Sequence, residues 1–172
     1  GSTVADATSN SNHGTLNGPI WTVSTAPSFL VNNDGTSYHK YLPKIAMNND
    51  GFIVSWCDAR NAQWEIFLQR YNSNGEIQGP NTMVNDMDPV DGHWDTSIDL
   101  DGDGNYVLAW ADNRHGNYDI YAQQYNSTDI AQGPNVRVND DVGSSHEQLP
   151  SIANDGSGNF IITWIDSRNG DR

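Results

Sequence analysis

Basic residues are scarce in this chain. Eight Lys and Arg stand against 22 Asp and Glu in 172 residues, a formal net charge of −14. Nucleic acid and anionic membranes need basic surface, so neither is expected as a partner. Cysteine is limited to Cys57, which excludes a disulfide framework within one chain. It sits beside a recurring Trp where the other copies carry Ala111 and Ile165, so a buried, inert thiol is expected. No run of about 18 apolar residues occurs, so no membrane insertion is expected. No segment shows a helical period with caps. Common catalytic signatures are missing as well: there is no G-x-S-x-G, H-E-x-x-H, C-x-x-C or phosphate-binding glycine loop. Paired carboxylates abound in so acidic a chain, and a glycosidase pair is neither excluded nor singled out.

What the chain has instead is a repeat. Trp56, Trp110 and Trp164 are spaced by 54 residues, and Asp58, Asp112, Asp166 and Arg60, Arg114, Arg168 follow at the same offsets. A fixed period of this size points to a solenoid, a propeller or an array. The units run 31–83, 84–137 and 138–172, each opening on Val-Asn. Within a unit a short apolar segment (Pro43–Ala46, Thr96–Ile98, Pro150–Ala153) leads to an Asn/Asp/Gly turn. Such turns favour residues that tolerate positive φ. FIVSW, YVLAW and FIITW follow, rich in β-branched and aromatic residues as strands are. Glu65–Gln69 and Asp119–Gln123 then alternate like strands with one buried face. A Gln-Gly-Pro turn leads to a last short strand.

Four short antiparallel strands, A to D, per unit predict an all-β chain, a single β-propeller over residues 1–172 with about three blades. A sandwich with internal similarity is the alternative. Around Thr3–Thr8 and Ile20–Val23 the N-terminal stretch supplies what look like strands C and D, so 3–30 is expected to complete the blade begun at 138. Propellers have about four blades or more. Three blades therefore predict a homodimer with a six-bladed ring, each chain's N-terminal strands completing the other's last blade, or a fragment of a longer propeller. Gly1-Ser2 fits a scar over a removed leader, in keeping with an extracellular or cell-surface protein.

The pattern P-x-I-A…DG-x-F-I-x-W-x-D-x-R…D-I-Y-x-Q-x-Y…V-N resembles repeats of large secreted and surface-attached bacterial proteins, and it covers 31–172. The resemblance implies a propeller-type blade and is nearly silent about ligand. NSNHGTLNG at 10–18 is similar to a segment of concanavalin-like lectin domains. Asp50-Gly51…Trp56 resembles the Asp-box of sialidase-like propellers, but the aromatic lies five residues after Gly rather than three, so no sialidase residues are carried over.

In a propeller the D–A and B–C loops share one face. Here they carry Asp34, Asp86 and Asp140, His39, His93 and His146, and the Asp-x-Arg series. The Asp-x-Arg pairs fit pinned turns, and the histidines fit loop hydrogen-bonders or, if they converge, metal ligands. Asp99, Asp101 and Asp103 form D-x-D-x-D-G, the opening of a Ca²⁺-wrapping loop, although the closing Glu of an EF-hand is replaced by Trp110. Tyr38, Tyr41, Trp64, Trp94 and Tyr118, with Trp21, are aromatics outside the expected core positions. Flat aromatics beside Asp and Asn suit a sugar and also suit loop packing. Two functions are therefore carried forward: a non-catalytic extracellular binding or scaffolding module, with carbohydrate as its candidate ligand, and a glycan-active hydrolase or lyase.

Overall fold

A computed structural model describes residues 2–4, 14–16, 30–32, 34–86, 92–140, 143–168 and 170. The chain divides into two compact units, Gly1–Asn33 and Asp34–Arg172. In the first, β1 (Ser2–Val4) pairs antiparallel with β2 (Gly14–Leu16). The strand expected at Ile20–Val23 and the ring of Trp21 lie outside the described residues.

The second unit is all-β among its described residues. Its first sheet is β3 (Lys40–Met47), β4 (Gly51–Asp58), β5 (Glu65–Asn72) and β6 (Ile77–Met83). Its second is β7 (His93–Leu100), β8 (Tyr106–Asp112), β9 (Asp119–Tyr125) and β10 (Val136–Arg137). A third pairs β11 (Glu147–Asn154) with β12 (Phe160–Asp166). Every strand is antiparallel to the one before it in its sheet. No helix among the described residues is long and apolar enough to cross a membrane.

The first strand of each sheet begins earlier than its apolar segment suggests. Pairing runs back to Lys40, His93 and Glu147 through an irregularity between Tyr41 and Lys44, Trp94 and Ser97, and Gln148 and Ser151. Leu42, Asp95 and Leu149 each sit there at φ 54°. Non-glycine residues seldom adopt that conformation, and a bulge of this kind re-aims the side chains beside it. Tyr41, His93 and Trp94 are thus strand residues, not loop residues.

Directly paired residues share a face of the sheet. One face of the first sheet, with Ala46, Ile53, Cys57, Ile66 and Leu68, packs on Ile98, Leu108, Trp110, Tyr121 and Tyr125 of the second. The opposite face of the second sheet brings Ala109, Ala111 and Ile120 against Ile152, Ile162 and Trp164 of the third. The second sheet is therefore covered on both faces, and β8 is buried along its whole length. Each fully buried side chain such as Leu108 stabilises the stack by about 1.5–3 kcal/mol. The outer faces differ: Ile45 and Met47 are 63% and 72% exposed on the first sheet, and Ile161 is 70% exposed on the third.

Candidate functional site

The recurring charged residues find one another. Asp58 accepts the Trp56 indole N–H at 2.8 Å, the Arg60 backbone N–H at 2.9 Å and an Arg60 guanidinium N–H at 2.5 Å. Arg60 lies 3.9 Å over the Phe67 ring and reaches Asp34 at 3.1 Å. The second copy repeats this. Asp112 accepts from Trp110 at 3.0 Å and from Arg114 at 2.6 Å, and Arg114 covers Tyr121 at 4.1 Å and pairs with Asp86 at 2.8 Å. In the third copy Arg168 bonds Asp166 at 2.5 Å and reaches Asp140 at 3.5 Å. The two acidic series and the Arg series thus form one clamp per repeat, which ties the start of the unit to the turn after its second strand. Such charge-assisted bonds consume the carboxylates. Burial alone would raise the Asp112 carboxyl, but bonds from His93 and Arg114 hold it well below the carboxylate range.

The uncharged repeat residues are committed as well. Asn85 and Asn139 accept the Ile66 and Ile120 N–H groups at 2.8 and 2.9 Å. Gln69 and Gln123 donate to the Gly79 and Gly133 carbonyls at 3.0 and 3.1 Å, closing the Gln-Gly-Pro turns. Cys57 is buried, and burial pushes its thiol up to about 12.

The three histidines do not form one series. Register makes Lys40, His93 and Glu147 equivalent, since they face Asp58, Asp112 and Asp166. His39 and His146 precede that position by one residue, where the second repeat has Gly92. His93 is buried: Nδ1 donates to the Trp64 carbonyl at 2.8 Å, and Nε2 stands 3.2 Å from Asp112. Desolvation lowers its pKa, but Asp112 more than offsets that and the net shift is upward. It fixes the Trp64 loop from beneath and is not open to a ligand. His39 and His146 are exposed.

The aspartates of the second turn are placed for backbone bonding. Asp101 is buried and accepts the N–H groups of Asp103 and Asn105, each at 2.9 Å, and the Asn105 amide at 2.8 Å. Asp99 accepts the Asn154 N–H at 2.7 Å, across to the third sheet. Among the described residues no group of three His, Cys, Asp or Glu side chains could hold a metal ion.

The aromatics do come together. Tyr41 lies 5.4 Å from Trp64, and Trp64 lies 4.6 Å from Trp94. His39 stacks on Tyr41 at 5.7 Å and 6°. The row spans the junction between the first two sheets. Tyr41 is exposed, and both Trp rings are partly so. Tyr38 is exposed but makes no ring contact with the row among the described residues. At the next junction Tyr118 stands 5.6 Å from His146 at 48°, beside a cleft of about 320 Å³. Both places adjoin a strained bulge residue, which is where functional side chains often cluster. No protein-family model, curated protein or solved structure matches this chain.

Proposed function

We propose that the chain is a non-catalytic binding module of β-propeller-type blades that holds a glycan along the Tyr41–Trp64–Trp94 row. The propeller reading is supported by the stacking: β3, β7 and β11, the first strands of successive sheets, adjoin one another. Each sheet also presents its opposite face to the next, as a radial repeat requires. The binding reading rests on one observation. The repeated polar residues are spent within the blades, whereas three rings from three strands or loops line up partly open to solvent. Aromatic faces bury the apolar face of a sugar well, and His39 adds a hydrogen-bonding edge. A secreted or cell-surface location accords with the bacterial repeats the sequence resembles.

A glycan array combined with a hydrolysis screen tests this. Binding without turnover supports it. Turnover of any polysaccharide, abolished by one carboxylate substitution, would establish the hydrolase or lyase instead.

The exposed outer faces favour a second copy as partner. Ile45 is in register with Ile98 and Ile152, which are packed within the inter-sheet clusters. The outer face of the third sheet, with Ile161, corresponds to the face that the second sheet buries. Two copies joined through these unlike faces about a two-fold axis would make six blades. Light scattering near twice 18.9 kDa supports this, and a monodisperse mass of 18.9 kDa refutes it.

A further inference from the structure

We propose that the cleft beside Tyr118, where the turn before β9 meets the Gln148–Ile165 end of the third sheet, is a subsite for one neutral pyranose ring, opened because Gln148 stands where the preceding junction has Trp94. The inference rests on the binding reading above and names a second, separate place for it. Trp94 faces Ala111 and Gln148 faces Ile165 at the same register position of their sheets. Trp64 and Tyr118 each precede the third strand of their sheet by one residue. In the first junction the Trp94 indole fills the space beside Trp64, at 4.6 Å. In the second, Tyr118 instead borders a cleft of about 320 Å³, lined also by His146, Gln148, Leu149, Ile165 and Ser167. That is at the small end of ligand pockets, which run from about 300 to 1,000 Å³.

The lining is preorganised. The His146 backbone N–H donates to Ser167 Oγ at 2.9 Å, and Ser167 Oγ donates back to the His146 carbonyl at 2.9 Å. The His146 ring accepts the Tyr118 N–H on Nδ1 at 3.2 Å. A neutral ring accepting at Nδ1 carries its proton on Nε2, which makes that edge a donor. Gln148 supplies both a donor and an acceptor. The Glu147 N–H donates to the Tyr118 carbonyl at 2.8 Å and anchors the backbone from which the Tyr118 side chain borders the cleft. Leu149 and Ile165 supply apolar surface. Among the described residues the lining contains no Lys, Arg, Asp or Glu. An apolar face for stacking and polar groups for hydroxyls, with no charge, match a neutral sugar rather than an acidic one.

The test uses the full chain with the methyl pyranosides of glucose, galactose and mannose, read by saturation-transfer and amide-shift NMR. At least one glycoside should shift Tyr118 and His146 saturably. Gln148→Trp copies the first junction, so it should fold, fill the cleft and weaken binding at least tenfold. Trp64→Ala breaks the aromatic row and should leave cleft binding unchanged. Should Gln148→Trp fail to fold, Tyr118→Leu removes the stacking wall and gives the same reading. The proposal is overturned if none of the three glycosides binds, or if binding survives both cleft variants. Loss of oligosaccharide binding in Trp64→Ala, with no effect of the cleft variants, would keep the aromatic row and eliminate the cleft.

Discussion

Alanine at Asp112 and at Asp166 removes the same letter from the same motif, yet the two should differ severalfold in cost. The Asp112 side chain is fully buried. It accepts from the Trp110 indole, from the Arg114 backbone and from the Arg114 guanidinium, and it faces His93. Without it, a buried indole N–H loses its acceptor, a penalty of about 1–3 kcal/mol. Arg114 keeps the more exposed Asp86 and its place over the Tyr121 ring. Breaking a buried ion pair from one side costs about 3–5 kcal/mol, and that is the expected loss. Asp166 is 25% exposed and its partner Arg168 is 43% exposed, so solvent takes up their bonds. Its removal should cost under about 1 kcal/mol. Asp58 is as buried as Asp112 but has Lys40 in place of His93, and should fall at the lower end of the larger range. The assay is urea unfolding. With a slope of about 2 kcal/mol/M, Asp112→Ala should lower the midpoint by roughly 2 M and Asp166→Ala by under about 0.5 M. Equal midpoint shifts for the two variants would refute the claim that burial, not the motif, sets the cost.

Two further perturbations follow from the same geometry. The His93 pKa is raised in the folded protein. Its stabilisation should be complete below the unfolded value of about 6.5 and lost as pH rises through the folded value. Urea midpoints measured from pH 6 to 9 should therefore fall, and His93→Gln should flatten that fall; a wild-type midpoint that rises over this range would contradict the sign. Asp101→Ala removes three hydrogen bonds from the second turn and should cost about 1–3 kcal/mol, to the same extent with and without chelator. A wild-type melting temperature that chelator lowers, with no such effect on the variant, would instead assign Ca²⁺ to Asp99, Asp101 and Asp103.

The repeat made the sheets legible, because apolar alternation and Asn/Asp/Gly turns recur at each strand and hairpin. It misled in two places. Pro43 and Pro150 read as strand starts, yet the bulge at Leu42 and Leu149 carries pairing past them. His39, His93 and His146 read as one loop series, but the hairpin after β7 is one residue longer than the one after β3. Four residues, 48–51, separate the paired Met47 and Phe52, against five, 101–105, between Leu100 and Tyr106. Upstream of that hairpin the true offset is one less, so His39 matches Gly92. The Asp-x-Arg series read as pinned turns, but its link to Asp34, Asp86 and Asp140 needs three dimensions. So does the aromatic row: Tyr41, Trp64 and Trp94 come from separate elements, and nothing local marks them as neighbours. Gln148 carried no sequence signal of its own. It becomes informative only beside Trp94, once register makes the two equivalent.

The proposed division of labour is that the charged repeat residues hold the sheets while the aromatic row takes a glycan. Its most direct test is to measure binding to an array-positive glycan for Trp64→Ala and Asp166→Ala, with melting curves for both. The account predicts that Trp64→Ala loses at least tenfold in affinity while remaining folded, and that Asp166→Ala binds like wild type. Unchanged affinity in Trp64→Ala, or a loss confined to Asp166→Ala, would contradict it.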